Sequence, residues 1–248
     1  MIGLQKKYKD INVNYVFYDN NSNKSLIFLH GWGQNIEMMM PIAKPFAKDY
    51  NVLIIDLPGF GYSDEPKYHW SLYDYSDLVD RFVKELKLKN IILIGHSFGG
   101  KVSICYALKH KVSKLVLLAS PYTKRDVKPT LKMKFFKFIK NTPGLKVFAN
   151  ILRNHVGSTD YKNASLTMKG VLVKHVNLDL KEEVKKITCP VLLIWGDKDE
   201  AVPLEDAKYL EKNMKDCGLV VYPGCTHYAY LERLNQTISV LKSFIGSD

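Results

Sequence analysis

The pentapeptide Gly95-His96-Ser97-Phe98-Gly99 follows directly on the apolar run Asn90–Ile94. A serine hydroxyl is a weak nucleophile at its free pKa; it needs a base beside it, and the base needs an orienting acid. A strand that runs through G-x-S-x-G into a helix must turn sharply. Small residues on either side keep the crowded backbone free of clashes and leave the serine exposed at the tip. Gly99–Leu108 reads as the helix this turn requires. Downstream, the apolar run Pro190–Ile194 leads into a loop holding Asp197 and Asp199, and Gly218–Tyr222 leads into a loop ending at His227. A nucleophile, an acid and a base therefore each follow a strand, in the order Ser…Asp…His. Either aspartate fits the acid's position. His227 is the only histidine downstream of both. Such a set is equipped to attack an acyl carbon.

The elements that must position these residues are legible as well. Short runs rich in Ile, Val and Leu, at Ser25–Leu29, Asn51–Ile55, Asn90–Ile94, Lys114–Ala119, Pro190–Ile194 and Gly218–Tyr222, suit parallel strands covered on both faces. Helical stretches fall between or after them at Glu37–Tyr50, Ser71–Leu88, Gly99–His110, Leu204–Met214 and Tyr228–Phe244. Tyr8–Tyr18 alternates and reads as a leading antiparallel hairpin or edge. A chain of 248 residues is long enough to bury a full sheet between helix layers.

Two more motifs stand at strand ends: His30-Gly31-Trp32-Gly33 after Ser25–Leu29, and Asp56-Leu-Pro-Gly-Phe-Gly-Tyr-Ser-Asp64 after Asn51–Ile55. With four motifs in this order, nearly the whole chain resembles the α/β-hydrolase superfamily, serine branch. The resemblance implies an α/β fold, with a mostly parallel central sheet flanked by helices and a helical cap insertion. It selects Asp199 as the acid beside nucleophile Ser97 and base His227, and leaves Asp197 to bond the turn backbone. It assigns oxyanion N–H groups to Trp32 and Phe98, and has His30 brace the oxyanion loop. The Trp32 indole either walls the acyl pocket or simply packs. The Asp56–Asp64 segment reads as structural. His96 reads as the variable residue of the elbow, and His69, His110, His155 and His175 as surface or cap residues.

Strand–helix alternation breaks between Tyr122 and about Thr188, where this superfamily carries its cap. The expected organisation is therefore core 1–121, cap 122–188 and core 189–248. Helices are expected at Leu131–Lys140, Leu145–His155 and around Ser165–Asn177, with Leu180–Ile187 packing back on the core. From Lys124 to Lys146 eight basic residues face one acid, Asp126, a net +7 of the chain's +11. A solvated lysine face, a landing pad for an acidic partner such as an acyl carrier protein, and contact with anionic lipid are three readings of that stretch. Esterases of carrier-bound acyl esters show a similar H-G-W-G loop and basic cap.

Only four of the 36 basic residues are arginine and no recognition module is visible, which argues against nucleic acid. No stretch approaches the roughly 20 apolar residues of a transmembrane helix. The N-terminus lacks the apolar core of a signal peptide and the four cysteines include no C-x-x-C pair, so a reducing cytoplasm is expected. Cys217 and Cys225 flank a strand and stand too far apart to bridge. The expectation is a monomeric or weakly dimeric serine esterase of small or medium acyl esters, with no metal or organic cofactor. Serine at the nucleophile position disfavours relatives that use aspartate there. Thioesterases, esterases of carrier-bound acyl groups, carbon–carbon bond hydrolases and a catalytically idle binding scaffold remain as alternatives.

Overall fold

The computed structural model describes residues 3–124 and 164–246. Eight strands form one sheet: β1 (Leu4–Tyr8), β2 (Ile11–Tyr18), β3 (Ser25–Leu29), β4 (Asn51–Ile55), β5 (Ile91–His96), β6 (Lys114–Leu118), β7 (Val191–Gly196) and β8 (Cys217–Tyr222). Their spatial order is β1-β2-β4-β3-β5-β6-β7-β8. β1 and β2 are a leading antiparallel hairpin, β2 runs antiparallel to β4, and every other pair is parallel.

The apolar runs are continuous because both faces of the parallel strands are covered, and the pleat sorts alternate residues to opposite sides. Ile27, Leu29, Leu53, Ile55, Leu93, Leu115, Leu117 and Leu193 pack against α2 (Leu72–Glu85) and α3 (Phe98–Lys109). Leu26, Phe28, Val52, Ile54, Ile92, Ile94, Val116 and Ile194 pack against α1 (Ile36–Ala43) and the C-terminal helix. The helix expected over Glu37–Tyr50 is shorter: α1 ends at Ala43 and a 3₁₀ turn, Lys44–Phe46, follows. Pro45 has no N–H to continue the α-helical ladder, and Lys44 keeps helical geometry as the first residue of the tighter turn. The last expected helix is divided at Arg233. After α4 (Leu166–Asn177) and α5 (Leu204–Asn213), the short α6 (Ala229–Glu232) precedes α7 (Leu234–Gly246).

Between β6 and β7 the described chain contains α4, capped by the Ser165 hydroxyl, which accepts from the Met168 N–H at 3.1 Å. Leu180, Val184 and Ile187 after it are buried in the core. The stretches expected to be helical at Leu131–Lys140 and Leu145–His155 lie outside the described residues. So do all the basic residues counted above except Lys124.

Asp56 ties three segments together. Its carboxylate accepts from the Asn14 amide on β2 at 2.7 Å, from the N–H of Ile36 at the start of α1 at 2.7 Å, and from the Tyr62 N–H at 2.9 Å. Gly61, at φ +57°, lets the turn close on it; a Cβ there would stand 2.2 Å from the carboxylate. Each buried donor left unpaired costs about 1–3 kcal/mol. Asp56→Ala is therefore expected to lower urea-unfolding stability by about 2 kcal/mol or more, and a loss below about 1 kcal/mol would remove this role from Asp56.

Candidate active site

The order of the strands gathers the candidate residues. β3 is flanked by β4 on one side and β5 on the other, so the order in which strands are added to the sheet reverses there. Loops leaving the carboxyl ends of strands at such a switch diverge and leave a crevice. Leu29 lies beside Gly95 in the register, so the His30–Gly33 loop and the Ser97 turn leave the sheet side by side. Further along the same edge Gly196 lies beside Tyr222, which brings the Asp199 and His227 loops together.

Ser97 sits between β5 and α3 at φ 49° and ψ −111°, a backbone that L residues rarely adopt. The glycines beside it permit close packing rather than flexibility: a Cβ at Gly99 would stand 2.4 Å from the Leu29 carbonyl oxygen, and one at Gly95 2.6 Å from the Gly100 Cα. The Ser97 N–H donates to the Leu118 carbonyl at 2.9 Å. Among the described residues its hydroxyl makes no hydrogen bond.

His227 Nδ1 lies 2.8 Å from Asp199 Oδ2. Asp199 is buried, and its other oxygen accepts from the N–H groups of Ala201 and Val202, each at 2.8 Å. These two donors fix the carboxylate and aim its free oxygen at the imidazole. Asp197 instead accepts from the Gly224 N–H at 2.7 Å, tying one loop to the other as a turn aspartate does. Glu232 holds the His227 loop from outside, accepting from the Thr226 N–H and hydroxyl.

On the other side of Ser97 the Trp32 loop is pinned through His30 and Gly31. His30 is buried, donates from Nδ1 to the Gly31 carbonyl at 2.7 Å, and accepts at Nε2 from the Leu57 N–H at 2.9 Å. Gly31 donates to Gln34 Oε1 at 3.0 Å, and the Gly99 N–H donates to the His30 carbonyl at 3.1 Å. The N–H groups of Trp32 and Phe98 have no partner among the described residues. The Phe98 N–H also stands in the first turn of α3, where the helix dipole favours negative charge. The Trp32 indole is half-buried and packs edge-on against Phe60 and Phe98.

Three features carried no signal that identified them from sequence. Gln34 is buried behind Gly31. Lys101, one turn into α3, is buried and donates to the carbonyls of His175 and Leu178 at 2.9 and 2.6 Å, fastening the C-terminal end of α4 to the serine's helix. His175, expected as a surface or cap residue, lies in α4 within the stretch expected as the cap, but it is buried rather than at the surface, with its ring 5.0 Å from that of Phe98. It lies inside because α4 folds down onto α3, a tertiary contact that no local pattern encodes.

Burial holds His30 down at about 4; burial, with a smaller contribution from neighbouring His227 and Lys101 respectively, holds His96 and His175 at about 3. All three stay neutral when folded, whereas the unfolded chain protonates them near 6.5. Because the unfolded state binds more protons, their contribution is complete above pH 6.5 and is lost as pH falls from there toward about 3. Calorimetry is expected to give a lower Tm at pH 5 than at pH 7.5, with proton uptake on unfolding; a Tm independent of pH across that range would contradict it.

Among the described residues, no cluster of metal-binding side chains occurs and no helix is long and apolar enough to cross a membrane. The family model for the alpha/beta hydrolase fold matches residues 24–153, just over half of the chain. The chain is 28% identical to a proline iminopeptidase from Saccharolobus solfataricus, over 98% of this chain and 93% of the relative. It is 24% identical to a pimeloyl-[acyl-carrier protein] methyl ester esterase from Aliivibrio fischeri, over 89% of this chain and 93% of the relative. Among solved structures it is similar to an esterase from Exiguobacterium antarcticum, with a TM-score of 0.76 and 23% identity, covering 99% of this chain and 100% of that one.

Proposed function

The chain belongs to the alpha/beta hydrolase family, and on that premise we propose that it is a serine hydrolase of small or medium acyl esters. The observation that carries the proposal is the Asp199–His227 pair at 2.8 Å, on the same sheet edge as a serine held at φ 49°. In the proposed reaction His227 Nε2 takes the Ser97 proton as the hydroxyl attacks the acyl carbon, then returns it to the leaving alcohol. Asp199 keeps the proton on Nδ1 and stabilises the imidazolium. The N–H groups of Trp32 and Phe98 receive the oxyanion; one such donor is worth about 3 kcal/mol of barrier. Water, activated by the same histidine, releases the acid.

Residues 122–188 are proposed as the cap. The described part supports this: α4 rests on the 57–70 loop through Met168 against Gly59, Gly170 against His69, and Ser165 Oγ donating to Glu65 at 2.7 Å. An ester substrate is preferred because the relatives include an esterase of a carrier-bound methyl ester. The iminopeptidase relative makes a peptide bond the second reading to test.

A p-nitrophenyl ester series from short to long acyl chains, run beside proline naphthylamide and an acyl-thioester, tests the proposal. The expected result is serine-dependent ester turnover with a chain-length optimum. Turnover of the proline amide alone would reassign the substrate to peptides, and turnover of the thioester alone would make it a thioesterase. Folded protein inert toward every member and toward a fluorophosphonate would overturn the hydrolase reading.

A further inference from the structure

His96, the residue before Ser97, has work of its own in this fold. Alternation along β5 places it on the sheet face of Ile92 and Ile94, opposite to Leu93. It is fully buried there, beneath the site. Its Nε2 lies 3.0 Å from the His227 carbonyl oxygen, and its Nδ1 lies 3.2 Å from Gln34 Oε1, the oxygen that receives the Gly31 N–H. Its ring stands 4.8 Å from the ring of His227 and 4.8 Å from that of Tyr230. A Cβ on Gly31 would stand 2.7 Å from His96 Nδ1, so the oxyanion loop rests directly against the imidazole. The same side chain therefore touches the loop of the candidate base and the loop of a candidate oxyanion donor, and it is covalently next to the candidate nucleophile.

We propose that His96 is a positioning residue that sets the His227 loop and the Trp32 loop at fixed distances from Ser97. This rests on the serine-hydrolase reading and deepens it. A neutral imidazole carries one N–H and here faces two acceptor oxygens. With the proton on Nε2 the ring donates to the His227 carbonyl and holds the base loop; with the proton on Nδ1 it donates to Gln34 and holds the oxyanion loop. The ring's bulk, wedged between Gly31, His227 and Tyr230, serves both in either form. The reaction needs this because reacting groups displaced by about 1 Å lose roughly 100-fold in rate.

The test measures the labelling rate with a fluorophosphonate and, separately, kcat and KM for the best p-nitrophenyl ester. His96→Ala is expected to slow labelling and lower kcat by about 10- to 100-fold with KM within about twofold, because the lost property is alignment rather than substrate contact. His96→Gln, whose amide N–H reaches the position of Nε2, is expected to recover most of that loss. Gln34→Met, which leaves the imidazole in place and removes its second partner, is expected to slow labelling several-fold, and it serves as the test if the His96 variants fail to fold. A folded His96→Ala protein that labels at the wild-type rate, or alanine and glutamine variants that lose Tm equally with kcat unchanged, would reduce His96 to a packing residue and overturn the inference. If the His96 variants do not fold, Gln34→Met labelling at the wild-type rate overturns it. Wild-type protein that neither labels nor turns over ester would instead sink the underlying hydrolase reading, so the two failures are distinguishable.

Discussion

Ser97→Ala is expected to lower ester turnover by about 10⁴- to 10⁶-fold and to leave folding stability within about 0.5 kcal/mol of wild type. The first half follows from covalent catalysis. Without the oxygen no acyl-enzyme forms, and whatever rate remains comes from water attacking a carbonyl polarised by the two backbone N–H groups. The second half follows from the surroundings of Ser97. Its hydroxyl has no hydrogen-bond partner among the described residues, so deletion orphans nothing. The strain at φ 49° falls on any L residue alike, so alanine neither relieves nor adds to it. Steady-state kinetics beside thermal unfolding check both halves. A variant with near-wild-type kcat would end the mechanism, and a variant that loses activity together with its fold would show that the serine serves the turn instead.

The second large effect is a contrast between neighbours. Asp199→Asn is expected to cost about 10³- to 10⁴-fold in kcat, and Asp197→Asn less than about threefold. At position 199 the N–H groups of Ala201 and Val202 both point at one side-chain oxygen. They would hold the asparagine carbonyl there and turn its NH₂ toward His227. The imidazole must then accept at Nδ1, which puts its own proton on Nε2, the nitrogen that has to receive the proton from Ser97. Geometry survives but the tautomer is wrong. At position 197 the side chain's hydrogen bond, among the described residues, comes from the Gly224 N–H, which an amide oxygen accepts as well as a carboxylate does. Comparing kcat for the two variants decides the matter; the reverse ranking would transfer the acid role to Asp197.

The two loops also show why the choice between the aspartates was open from local pattern alone. Both residues follow β7, both are acidic, and both bond backbone N–H groups. Resemblance to a family selected Asp199. The structure adds the direct contact: Asp199 is buried 2.8 Å from the imidazole, while Asp197 is exposed at the turn.

Strand placement, the parallel sheet and the order Ser…Asp…His were determined by the sequence itself. Runs of Ile, Val and Leu must bury both faces, and Gly95 and Gly99 stand where backbone meets backbone within van der Waals contact. Those are constraints on single positions and short periods, so they are visible in one dimension. The brace beneath the site was decided only in three. His96 lies 131 residues from the carbonyl it faces and 62 from Gln34, and Lys101 meets α4 74 residues downstream. Contacts of that separation depend on which strands are neighbours and on how the helices settle over them. A buried polar side chain looks the same in sequence whether its partner is water, a turn or the loop of the candidate base. Only the packed sheet edge tells them apart.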